Sequence, residues 1–180
     1  MEAAAGRTVV IRSRASVALA VAMVVTGGVG VVLAAVAGAD ALRVFGAPLA
    51  LFAVLGWAAF WHPHVEVSDG GVRVVNTFRS VQVPWPAITG VDGRYGLRLS
   101  TAFGTVTSWA APAPSGRTRA RDGSSEAAEV VTRRLEELRA AGYLDNPTLE
   151  RESLETEWDV PVVLAAGLLL AASLLLPFIG

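Results

Sequence analysis

The chain of 180 residues contains no cysteine and no lysine. Without thiols it holds no disulfide, no thiolate metal site and no cysteine nucleophile, and arginine alone supplies its fixed positive charge. Histidine is nearly as scarce: His62 and His64 are the whole supply. A Ser-His-Asp triad would have to use one of them, and as metal ligands they have only Glu66 nearby, so no metal site and no catalytic residue is assigned. Gly90, Gly93 and Gly96 recur at threes, but no helix follows and no Lys-Ser/Thr pair accompanies them, which argues against a phosphate loop. Formal net charge is −1, too balanced to suggest a nucleic-acid partner. No cofactor is implied.

Charge itself is missing from three long stretches. Residues 15–39, 44–61 and 160–180 carry no Arg, Asp or Glu. A bilayer core of about 30 Å requires about 20 apolar residues in a helix, so all three qualify as membrane spans, the second most narrowly. None contains an ionisable group, which speaks against a pump, a channel or an intramembrane protease. Small residues recur at four-residue spacing within them, as Gly30, Ala34 and Gly38, as Gly46 and Ala50, and as Gly167 and Ala171; such faces let helices approach closely, although an Ala- and Gly-rich chain also produces them by chance.

Arg7, Arg12 and Arg14 precede the first span, while the short link before the second carries only Arg43. The positive-inside rule then keeps the tail 1–14 in the cytoplasm, returns the chain there after the hairpin 15–61, and sends the end at Gly180 outside after the third span. Ala37-Gly38-Ala39 also has the small-residue pattern of a signal cleavage site, which would start the mature chain at Asp40. Against that reading, the apolar run is about twice the usual length of a signal core and another span follows almost at once.

Between the second and third spans lies one domain's worth of polar sequence. Val65 to Ser68, Val72 to Val75 and Arg79 to Val83 alternate in polarity around turns at Asp69-Gly70-Gly71 and Asn76-Thr77. Pro84 and Pro86 flank Trp85 and stop the third strand. Further short strands run to Trp109, giving six over 65–109, which must curl into a barrel or sandwich to protect their edges. Residues 111–124 read as a loop. A helix over 125–141 follows, capped by Ser124 or Ser125, with Ala127, Val131, Leu135 and Leu138 as its apolar stripe and Gly142 as its stop. The domain ends near 144, and 145–159 is an acidic linker.

Strands followed by one amphipathic helix is the order of a pleckstrin-homology (PH) domain. Val83-Pro84-Trp85-Pro86-Ala87-Ile88, after the Asp69-Gly70-Gly71-Val72 hairpin and before Glu137 to Asp145, resembles the bacterial PH-like family called low-molecular-weight protein antigen 6, over roughly Val65 to Asp145. Pro84, Trp85 and Ile88 carry the motif. The resemblance implies a PH-like fold in a small membrane protein with a two-span hairpin and no known enzymatic activity. The fold class expected is therefore α+β: a transmembrane hairpin, a cytoplasmic PH-like antiparallel β domain with its helix, and a further transmembrane helix.

Two functions compete. The domain is a non-enzymatic interaction module for a protein partner or another copy of itself, or it binds anionic lipid headgroups through Arg73, Arg79, Arg94 and Arg98. Arg117, Arg119 and Arg121 form a basic cluster within reach of an anionic leaflet, where each arginine contributes roughly 1 kcal/mol. Trp85 reads as a buried corner residue.

Overall fold

A computed structural model describes residues 8–110, 125–144 and 153–178. In chain order its elements are β1 (Val9–Ile11), α1 (Arg14–Ala37), α2 (Ala39–Gly56), β2 (His64–Ser68), β3 (Gly71–Val75), β4 (Arg79–Val83), β5 (Ile88–Asp92), β6 (Arg98–Thr101), β7 (Gly104–Thr107), α3 (Glu126–Ala140), β8 (Glu155–Trp158) and α4 (Val160–Leu175). A π-helical turn, Trp57–Trp61, prolongs α2, and short 3-10 turns occupy Trp85–Ala87 and Leu176–Phe178. The chain divides into two compact units, a helical one from residues 14–62 and 158–180 and a β unit from residues 1–13 and 63–157.

Three helical stretches, Arg14–Ala37, Ala39–Trp61 and Val160–Phe178, are long and apolar enough to cross a membrane. Only Gly38, at φ +116°, separates α1 from α2, a backbone conformation that a side chain would strain. Asp40 and Arg43, read from sequence as part of a link, therefore lie in the beginning of α2 and pair at 3.1 Å. The helices of this hairpin touch through glycine. A Cβ at Gly27 would meet the Leu49 carbonyl oxygen at 2.7 Å and the Ala53 Cβ at 2.8 Å, and one at Gly56 would meet the Met23 Cβ at 2.5 Å. Gly30 and the buried Ala34 share this contact side, Gly30 against Leu49. Gly167 and Ala171, by contrast, are exposed on α4, and Gly167 has open space around it.

Asp159 caps α4 by accepting a hydrogen bond from the Val162 amide at 3.4 Å. The same carboxylate meets His62 Nε2 at 2.9 Å, joining the end of the π-helical turn to the start of α4.

In the β unit, period-two alternation sends one valine set inward. β1-β2-β3-β4-β8 form a five-stranded sheet and β5-β6-β7 a three-stranded one. Val65 lies opposite Val74, Val67 opposite Val72, Val72 opposite Val83 and Val74 opposite Val81, so that face buries together. It shares one core with Leu99 and Val106 of the second sheet and with Ala127, Val131 and Leu135 of α3. Ser125 caps α3 by accepting from the Ala128 amide at 3.3 Å. The helix stops where Gly142 turns to φ +72° and the Gly142 and Tyr143 amides close back on the carbonyls of Arg139 and Leu138.

Two strands stand outside the sequence expectations. β1 is three residues long, too short to show a period, yet it places Val9 opposite Val67 and Ile11 opposite Val65. β8 lies within the stretch expected as an acidic linker; all four of its residues are exposed, so it has no apolar alternation by which to be recognised. Together they cover both edges of the larger sheet.

Candidate functional site

The outward positions of the larger sheet follow from the same register. Glu66 faces Arg73 across β2 and β3, and Arg73 faces Gln82 across β3 and β4. β8 adds Glu155 and Glu157. The result is an open polar cavity of about 240 Å³ lined by Arg73, Ser80, Gln82, Glu155 and Glu157. Within it Arg73 donates to Glu157 at 3.3 Å, an exposed ion pair of little stabilising weight that nonetheless orients both side chains. One guanidinium, one amide, one hydroxyl and two carboxylates form a lining of mixed sign.

The neighbouring polar groups of that face are already engaged. His64 Nε2 lies 3.0 Å from Glu66, and Arg12 reaches His64 Nδ1 at 3.4 Å. A guanidinium only donates, so the ring fits this arrangement with its proton on Nε2. Both histidines thus have carboxylate partners, and among the described residues no group of three or more His, Asp or Glu side chains is placed to hold a metal ion. At the turn between β2 and β3, Arg134 of α3 donates to Asp69 at 2.7 Å, and it also donates to Glu137 at 3.0 Å. These bonds, Glu137's first, raise the guanidinium above its ordinary value.

The arginines singled out from sequence are distributed over both sheets. Arg73 lies in the cavity, paired with Glu157. Arg79 opens β4, exposed. Arg98 lies on β6, in the other sheet, opposite Asp92 and Thr107, and Arg94 follows β5, its amide donating to Asp92 at 2.9 Å. Arg117, Arg119 and Arg121 lie outside the described residues. Pro84 and Trp85 turn the chain from β4 toward Ile88, the first residue of β5; Trp85 is 1% exposed and its indole donates to the Ser68 carbonyl at 2.9 Å.

Sequence reasoning missed Ser80, Gln82, Glu155 and Glu157. Alternation around Val81 already points Ser80 and Gln82 outward, but the pairing of β8 with β4 has no local signal. Asn76 was also missed. Buried in the turn after β3, its side chain donates to the Thr107 carbonyl at 3.0 Å and accepts from the Trp109 amide at 2.8 Å, tying that turn to the end of β7. Asn76→Ala is expected to destabilise the β unit by about 1–3 kcal/mol, because it removes both hydrogen bonds of a buried side chain and leaves the part-buried Thr107 carbonyl and Trp109 amide without that partner. Chemical denaturation followed by tryptophan fluorescence measures this, and an unchanged midpoint would contradict it.

Residues 62–136 match the family model described as Bacterial PH domain. No curated protein and no solved structure matches the chain.

Proposed function

We propose that this chain, which carries a bacterial PH domain between candidate membrane spans, is a non-enzymatic membrane protein whose PH domain docks a protein partner through the polar cavity of its larger sheet. The observation that carries this reading is the mixed sign of the cavity. Glu155 and Glu157 flank Arg73, so an anionic headgroup would meet two carboxylates for one guanidinium. A protein surface offering an arginine or lysine to this net-negative lining, with hydrogen-bonding groups for Ser80 and Gln82, complements it. Arginines at the N-terminal border of α1, Arg12 and Arg14, support a cytoplasmic placement of the PH domain by the positive-inside rule. β1 agrees with a hairpin, since its pairing with β2 brings together the chain segments that precede α1 and follow α2.

The test is affinity purification of the full chain from native membranes, wild type beside Gln82→Trp, which fills the cavity from an outward position. Recovery of a co-purifying protein is expected to fall about tenfold or more, the equivalent of about 1.4 kcal/mol of lost binding. A partner retained undiminished by Gln82→Trp would show that docking occurs elsewhere. Arg73→Ala gives a second readout, since it removes the cavity's one cation without filling the space.

A further inference from the structure

A different surface of the β unit has the chemistry of a bilayer contact. Phe78 and Trp109 are 37% and 67% exposed, and Arg79 is exposed beside Phe78. The Arg79 side chain makes no hydrogen bond or ion pair with another described residue. These residues are far apart in sequence, but Asn76 holds the Phe78 turn against the segment that carries Trp109 through its bonds to the Thr107 carbonyl and the Trp109 amide. The backbone bond from the Asn76 amide to the Arg79 carbonyl, 2.8 Å, closes the turn itself.

The chain path fixes which end of the sheet this is. Only Pro63 separates His62, at the end of the second candidate span, from His64, the first residue of β2. His64 lies opposite Val75, the last residue of β3, and the turn begins at the next residue. Along the chain path, Phe78 is therefore separated from the end of that span by Pro63, one strand pairing and the first residues of the turn. The other hairpin turns, at Gly70 and at Ala102-Phe103, lie at the opposite ends of their strands.

We infer that Phe78, Arg79 and Trp109 form a foot that rests in the headgroup region of the bilayer, the two aromatic rings at the level of the interface and the Arg79 guanidinium on lipid phosphate. Tryptophan, an apolar ring with one polar edge, concentrates at that depth, a phenylalanine beside it adds apolar area to bury, and arginine beside an anionic leaflet adds attraction. This surface is separate from the cavity proposed for the protein partner, so the two stand or fall independently. It assigns a lipid role to one of the arginines named from sequence, Arg79, and couples it to two aromatic residues.

The absence of cysteine makes the test direct. Single-cysteine variants of the full chain, Trp109→Cys, Phe78→Cys and Ala102→Cys, are spin-labelled and reconstituted alone into vesicles of phosphatidylcholine with or without phosphatidylglycerol. Collision with dissolved oxygen and with a water-soluble nickel chelate then reports depth. Labels at 109 and 78 are expected to show several-fold lower nickel collision than the label at 102, with greater immersion in the anionic vesicles. Adding Arg79→Gln is expected to abolish the dependence on anionic lipid while leaving immersion in place. Labels at 109 and 78 as water-accessible as the label at 102 would overturn the foot. So would protection seen only in native membranes, which would mean that a protein covers this end. An anionic-lipid effect unchanged by Arg79→Gln would overturn the assignment of Arg79.

Discussion

Trp85→Ala is expected to destabilise the β unit by about 3–5 kcal/mol, the cost of emptying a buried tryptophan site, and therefore to leave much of the protein unfolded in that unit. Trp85 is among the largest fully buried side chains, in a core otherwise made mostly of valine, leucine and alanine. Truncation removes its contacts and also the indole bond to the Ser68 carbonyl, which lies at the tip of the β2–β3 hairpin. Trp85→Phe separates the two effects: it keeps most of the volume and loses the bond, so its cost is expected to be clearly smaller. Denaturant titration of the purified chain, read by circular dichroism, measures both. Equal midpoints for Trp85→Ala and wild type would contradict the role given to this residue.

The second large effect is expected at Gly71, where β3 begins. Its φ of +148° disfavours any side chain, and an added Cβ would overlap the Val83 carbonyl oxygen and lie 2.9 Å from the Pro84 Cα. Both obstacles are backbone, so no rotamer change relieves them. Gly71→Ala combines backbone strain with overpacking and is expected to cost roughly 2–5 kcal/mol. Gly70→Ala, one residue earlier, has no backbone within reach of its Cβ and serves as the control, with little change expected. If both substitutions proved equally harmless in thermal unfolding, the close approach of the hairpin to the Val83-Pro84 corner would be wrong.

These two predictions concern one construction. The hairpin tip receives the Trp85 indole at Ser68, the corner backbone at Gly71 and the Arg134 guanidinium at Asp69. The Asp-Gly-Gly-Val hairpin and the Pro-Trp-Pro corner thus pack against each other.

Much of the fold is written locally. Charge-free runs of sufficient length mark the three apolar helices, alternating valines mark β2, β3 and β4, and a four-residue apolar spacing with a serine cap and a glycine stop marks α3. What escapes local reading is pairing across long sequence distance. β8 joins β4 through backbone bonds that carry no side-chain pattern, and it completes the cavity by bringing Glu155 and Glu157 to Arg73. The same limit applies to the arginines: after the break at Pro84-Trp85 the chain enters a different sheet, so Arg98 lies on a different sheet from Arg73 and Arg79. Asn76 is invisible for the same reason, since both of its partners lie more than thirty residues away.

Site-specific photo-crosslinking in native membranes tests the docking surface most directly. A small diazirine amino acid of about glutamine's size at position 82, among the residues lining the cavity, is compared with the same amino acid at Thr105, exposed on β7 of the other sheet. The account predicts a discrete protein adduct from position 82 that is absent from position 105 and is lost when Arg73→Ala is added. No adduct from position 82, or the same adducts from both positions, would contradict it.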